Sequence, residues 1–255
     1  MIRFDNVVFG YNDEEILHGI SFNIPTGESR VIMGPSGSGK STILRLILGL
    51  DCPWSGKIHI DDVNICGLRF KQMQNIRKQI AMVFQDGALF DSMTVGENVG
   101  YYLFEHTDRN EKDIEADVLE MLQFVNLDPD IVDKLPEELS GGMRRRVAVA
   151  RALLSTDPKI MLFDEPTTGL DPQATESVLE LMIKLQEVKK KSIIIVTHQI
   201  ADALKLVDKY IIIQSGRVVF DGDMEQLRTC ESPELEEFLA PFRKSVADVV
   251  RKNFV

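Results

Sequence analysis

Residues 34–41 read Gly-Pro-Ser-Gly-Ser-Gly-Lys-Ser, the glycine, lysine and hydroxyl spacing that cradles a polyphosphate. Gly34, Gly37 and Gly39 let the backbone turn its N–H groups inward with no Cβ in the way, while Pro35, Ser36 and Ser38 fill the loop between them. Lys40 is spaced to reach the β- and γ-phosphates. The Ser41 hydroxyl suits one position on Mg2+, which prefers oxygen ligands, and Thr42 continues the segment. A glycine-rich turn without a ligand is the alternative, and the flanking elements decide against it. Residues 28–33 read as a buried strand and residues 42–49 as a helix, so the loop's donors gather at the positive end of a helix dipole.

Three further places carry chemistry. Asp164 and Glu165 close the apolar run 160–163, where Asp164 can hold Mg2+ through a water and Glu165 can orient a water in line with a γ-phosphate. Leu139-Ser-Gly-Gly-Met143 opens a second helix, whose Ser140 hydroxyl and Gly141 and Gly142 backbone donors form a second anion site. His198 follows another strand, residues 192–197. One nucleotide has no need of two such donor turns within one chain. Two copies packed head to tail would use both, each ATP lying between one copy's phosphate loop and the other's glycine turn.

The elements that must position these residues follow from periodicity. Residues 1–9 and 19–24 alternate as antiparallel strands around a turn at 10–13 that leaves Tyr11 exposed, and residues 57–60 add a short strand. An apolar run at 79–84 ends at Gln85. From about 86 to 156 helical periodicity takes over. Asn110 is a predicted N-cap, with Ile114, Val118, Met121, Leu122 and Val125 on one face and a strongly acidic solvated face opposite. Strand 160–163, helix 172–187 and strand 192–197 form a crossover of the kind a parallel sheet requires, and 210–213 with 217–220 form a hairpin. The fold class is therefore α/β, with a parallel core sheet, an N-terminal antiparallel β subdomain and a helical subdomain. Residues 232–255 form an amphipathic extension whose stripe of Phe242, Val246, Val249, Val250 and Phe254 needs a cover.

Composition narrows the classes. A formal net charge of -11 over 255 residues leaves no basic surface for nucleic acid. Cys52, Cys66 and Cys230 are odd in number and lie in no C-x-x-C pair, which points away from disulfides and zinc and toward a reducing cytoplasm. The N-terminus shows no apolar signal core, and no apolar run approaches the ~18 residues of a membrane span. A membrane role is therefore expected only through partners.

Taken together, the phosphate loop (Walker A), Gln85 (the Q-loop glutamine), residues 139–143 (the signature), 160–165 (Walker B), 169–171 (the D-loop) and His198 (the switch histidine) stand in one order. In that order they resemble the P-loop nucleotide-binding subunit of an ABC transporter over about residues 1–230. The resemblance implies an ATPase domain at 1–231, with ATP and Mg2+ as cofactors. It implies adenine stacking on Tyr11, a γ-phosphate contact from His198, Gln85 beside the metal, and Lys40, Glu165 and His198 as the catalytic set. It also implies a homodimer closed by an ATP sandwich and multi-span permease subunits that meet residues 86–102, where Ala88, Leu89, Phe90 and Met93 are too apolar to stay bare. Residue 143 departs from the pattern, since Met143 stands where most of the family has a glutamine and cannot make its hydrogen bonds. Residues 139–146 and 84–98 are similar to ATPases of Mla/Mce-type phospholipid transporters. This subgroup implies lipid-binding MCE-type and accessory subunits, and a peripheral location on the cytoplasmic face of the inner (plasma) membrane. The rival expectation is a non-transport ABC ATPase driving a membrane-bound envelope or cell-division complex.

Overall fold

The computed structural model describes residues 1–230 together with 232, 233, 235, 238 and 240. Strands β1 (Ile2–Tyr11), β2 (Glu14–Ile24) and β3 (Arg30–Met33) lead into helix α1 (Lys40–Ile47), then β4 (Ser55–Ile60), β5 (Val63–Asn64), α2 (Phe70–Arg77) and β6 (Ile80–Val83). Helices α3 (Val95–His106), α4 (Glu111–Phe124) and α5 (Gly141–Thr156) precede β7 (Ile160–Asp164), α6 (Pro172–Glu187) and β8 (Ser192–Thr197). Helix α7 (Ile200–Leu206), strands β9 (Lys209–Gln214) and β10 (Arg217–Asp223), and α8 (Met224–Thr229) follow. The chain divides into two units, residues 1–77 joined with those from 192 onward, and residues 78–191. The stripe expected at 242–254 lies outside the described residues.

In the first unit an antiparallel sheet runs in the order β2-β1-β4-β5. Beside it β3 is paired in parallel with both β8 and β9, and β10 pairs antiparallel to β9. Every residue of β3 and β8 is buried, as a strand covered on both faces must be. The phosphate loop leaves the carboxyl end of β3, the place where open α/β sheets bind ligands. Two boundaries differ from expectation. The first hairpin turns at Asn12 and Asp13 rather than over 10–13, because these two residues tolerate the positive φ (48° and 65°) of a tight turn. Gly10 stays in β1, paired with Glu15, at a point where any Cβ would meet the Glu14 carbonyl at 2.0 Å and the Trp54 ring at 2.6 Å. Helix α1 starts at Lys40, two residues earlier than expected.

In the second unit β6 and β7 pair in parallel, Ile80 opposite Ile160 through Val83 opposite Phe163. Within the stretch 86–156, where periodicity predicts helices, the α-helices are α3, α4 and α5, and the residues before Val95 form turns. Asn110 caps α4 by accepting from the Lys112 N–H at 2.9 Å, and Ile114, Val118 and Leu122 are buried, while Met121 is only half-buried. Helix α3 opens with a capping box. Thr94 Oγ1 accepts from Glu97 N, and Glu97 Oε2 accepts from Thr94 N.

The segment between Gln85 and α3 is tied down from two directions. Asn98, fully buried, accepts from Phe90 N at 2.8 Å and places its amide nitrogen 3.0–3.1 Å from the carbonyls of Phe90, Met93 and Thr94. Arg151 donates to the carbonyls of Gly87 and Ala88, and its burial depresses the guanidinium pKa. The four apolar residues expected to be bare here divide: Ala88 and Phe90 are exposed, Leu89 and Met93 half-buried. Asn98→Ala leaves several buried backbone groups without a partner, so it is expected to destabilise the protein by about 3 kcal/mol in urea unfolding. An unchanged midpoint would contradict the role of this amide.

Candidate active site

The phosphate loop, Tyr11 and His198 belong to the first unit; Gln85, residues 140–142, Asp164 and Glu165 belong to the second. Gly39 is the N-cap of α1 at φ 96°, ψ 9°, a left-handed conformation that glycine adopts without strain, and no side chain caps the helix. With glycine at the cap, the start of α1 is suited to an anion. Lys40 is 6% exposed and donates from Nζ to the carbonyls of Gly34 and Pro35, both at 2.9 Å. Lysine and loop thus form one preassembled cradle. Ser38 Oγ is buried with no hydrogen-bond partner among the described residues, the kind of orphaned polar atom that an anionic ligand relieves.

Two of the loop glycines have a second reason to be glycine. A Cβ on Gly34 would come within 2.2 Å of the Ile213 carbonyl of β9, and one on Gly39 within 2.6 Å of Leu17 Cδ2 of β2. Gly37 has open space around it but a φ of 81°, so there only the backbone conformation demands glycine. Pro35, Ser36 and Ser41 are exposed and Thr42 is buried.

Tyr11 is 40% exposed at the end of β1, its ring edge-on to Phe9 at 4.9 Å. Its hydroxyl donates to Asp51 Oδ2 at 3.0 Å, and Asp51 also accepts from Arg45 Nε at 2.6 Å. The Arg45 hydrogen bond, with a smaller one from Tyr11 and against the opposing pull of burial, holds the Asp51 carboxyl below its ordinary range. Arg45 lies on α1, so the aromatic platform and the phosphate loop share one scaffold. This link was not visible in the sequence. His198 is half-buried directly after β8, where Thr197 Oγ1 accepts from Gln199 N at 2.9 Å.

In the second unit Asp164 is the last residue of β7 and Glu165 follows it at φ 48°. A non-glycine residue there is strained and persists only where its surroundings fix it. Arg145, 7% exposed, donates to the carbonyls of Glu165 (3.2 Å), Pro166 and Thr168 (2.6 Å), and burial lowers its pKa. Thr168 Oγ1 donates to Glu165 Oε2 at 3.0 Å. Sequence reasoning passed over Arg145, because a run of three arginines reads as solvated charge.

The second donor turn is built as an N-cap. Ser140 Oγ accepts from Met143 N at 3.3 Å, which leaves its hydroxyl hydrogen free to donate outward. The N–H groups of Gly141 and Gly142 occupy the first helical positions, where no intrahelical acceptor exists. Gly142 is buried against α6, and a Cβ would sit 2.8 Å from Ala174 Cβ. Its glycine is thus required by helix packing as well as by any ligand. A cleft of about 640 Å³ brings Gly141 together with Gln85, Arg144, Thr168 and Gly169.

Of the residues expected to hold Mg2+, Ser41 lies in the first unit and Gln85 and Asp164 in the second, and each offers an oxygen, as that ion prefers. Among the described residues no group of three or more His, Cys, Asp or Glu could hold a metal by itself. Oxygen donors of these types suit an ion that takes its remaining ligands from nucleotide phosphates and water.

A phosphate loop on a central strand, a strand ending in Asp-Glu and a second glycine donor turn define an ATP-binding, ATP-hydrolysing cassette. Residues 17–168 match the family model described as ABC transporter, and the chain belongs to that family as an ATP-binding subunit. It is 37% identical over 239 residues to the intermembrane phospholipid transport system ATP-binding protein MlaF of Haemophilus influenzae, covering 94% of this chain and 90% of that one. It is also 40% identical over 240 residues to the glutamine transport ATP-binding protein GlnQ of Escherichia coli, covering 94% and 98%. The chain spans 65–66% of the length of the mycobacterial relatives it matches, such as the probable ribonucleotide transport ATP-binding protein mkl of Mycobacterium leprae, 39% identical over 229 residues. Among solved structures, a dimeric post-hydrolysis state of the ATP-binding cassette MJ0796 with ADP and Pi superimposes with a TM-score of 0.79 at 34% identity, covering 88% of this chain and 99% of that one. Among the described residues no helix is long and apolar enough to cross a membrane.

Proposed function

We propose that the chain powers a phospholipid transporter of the Mla/Mce type from the cytoplasmic face of the inner membrane, as a homodimer that closes on two ATP molecules. The observation that carries the dimer is the pair of donor turns, one at Gly39 and one at Ser140, each at a helix start and each half of a nucleotide site. In this reading the loop N–H groups, Lys40 and the Ser38 hydroxyl bind and orient the β- and γ-phosphates, and Tyr11 offers its ring to adenine. Ser41, Gln85 and Asp164 would hold Mg2+, which when bound supplies charge neutralisation on the phosphates. Glu165 takes the proton of the attacking water, and His198 contacts the γ-phosphate. Residues 140–142 of the second copy close the site and exclude water. Because Met143 replaces a glutamine, closure rests on the backbone donors and the Ser140 hydroxyl.

Permease subunits would dock on residues 86–102, whose bare Ala88 and Phe90 are held on a rigid base by Asn98 and Arg151. Lipid-binding MCE-type and accessory subunits would complete the assembly. The likeness to MlaF and the residues around 84–98 and 139–146 favour phospholipid, while the 40% identity to GlnQ, against 37% to MlaF, makes cargo the point to test. Copurification of the tagged chain followed by reconstitution of its membrane partners in vesicles checks this. ATP-dependent movement of labelled phospholipid is expected, and amino-acid uptake without lipid movement would overturn the cargo assignment.

A further inference from the structure

We propose that Arg145 and Thr168 are the positioning residues for Glu165, and that through Arg145 the helix bearing the second donor turn holds the base in place. The inference rests on Glu165 being the base. Arg145 lies one turn into α5, four residues beyond Gly141. From there its guanidinium reaches three carbonyls of the segment that follows β7, those of Glu165, Pro166 and Thr168. A buried guanidinium spent wholly on backbone oxygens is costly to place, and here it spans the one residue of that segment with a strained positive φ. Thr168 works from the other end of the same segment, its hydroxyl donating to Glu165 Oε2 at 3.0 Å. One group fixes the backbone of Glu165 and the other its carboxylate. The planar fork meets these carbonyls from two separate nitrogens, Nη1 to Glu165 and Pro166 and Nη2 to Thr168, whereas lysine's three donors radiate from a single nitrogen and cannot cover the same span. The helix whose first N–H groups form the donor turn therefore also grips the base, so that filling the turn and aiming Glu165 are mechanically joined.

Arg145→Lys and Thr168→Ala test this, with turnover, KM for ATP and amide hydrogen exchange as readouts. Displacing a reacting group by about 1 Å costs on the order of 10²-fold in rate. Arg145→Lys is accordingly expected to lower kcat by at least about tenfold, with KM within about twofold of the parent. Amides of residues 167–170 should exchange faster, while those inside α5 keep their protection. Thr168→Ala removes a single part-buried bond and should lower kcat several-fold at unchanged KM, and it keeps the test decisive if Arg145→Lys fails to fold. Unchanged kcat in Thr168→Ala, or in a folded Arg145→Lys, would overturn the proposal. So would losses of kcat and ATP affinity in proportion with a global rise in exchange. Glu165→Gln measured in parallel separates the two claims: normal turnover there removes the base assignment, whereas the exchange rates at 167–170 report on the grip independently.

Discussion

Glu165→Gln is expected to lower ATP turnover by about 10²- to 10³-fold while ATP still binds, leaving a stable ATP-bound dimer on a sizing column. A positioned general base contributes on the order of 10²–10⁴-fold, and an amide cannot accept the proton of the attacking water. The substitution is otherwise mild. Glutamine keeps an oxygen that can accept from Thr168 Oγ1, and the Arg145 bonds to the Glu165, Pro166 and Thr168 carbonyls involve only backbone. With hydrolysis blocked, ATP binding favours the closed pair without release. A ~10⁴-fold preference for the closed form, about 5.5 kcal/mol, turns a rare state into the dominant one. Turnover near that of the parent would remove Glu165 from its role.

Lys40→Ala has its effect one step earlier. The ammonium sits 2.9 Å from the carbonyls of Gly34 and Pro35, within the loop that would hold the phosphates. Its removal deletes a charge-assisted contact to the phosphates and unties the loop that presents the backbone donors. ATP affinity is expected to fall by about 10²-fold, about 2.8 kcal/mol, as read by titration calorimetry. The two variants then separate cleanly, since Lys40→Ala yields no ATP-dependent dimer and Glu165→Gln accumulates it. Unchanged affinity in Lys40→Ala would contradict the phosphate-loop assignment.

The parts of the fold most legible in the sequence are those where one signal acts alone. Helix α6 and strand β8 have the bounds expected of them, because Asp171 caps the helix before Pro172 and because residues 192–197 form a run buried throughout. Helix α2 was missed: it buries only Met73 and Ile76, and Phe70 at its start is exposed, so no apolar stripe marks it. Helices α7 and α8 are seven and six residues long, too short for periodicity to register. At the site, the motif residues were legible because their chemistry dictates type and spacing. Their supports were not. Arg145 reaches across 20 and 23 residues to the Glu165 and Thr168 carbonyls, and Asp51 across 40 to Tyr11, separations that only the folded chain closes, while Asn98 acts locally on a loop whose course the sequence does not show.

The measurement that bears most directly on the composite site uses two versions of the Glu165→Gln chain with the native cysteines replaced, one carrying Ser36→Cys and the other Ser140→Cys, both exposed positions. Mixed with ATP and a short bifunctional thiol reagent, they should form a covalent link between copies that requires both versions and the nucleotide. Saturating ATP binding with no such link would mean that the phosphate loop and the Ser140 turn never face one another, and the two-copy site would fall.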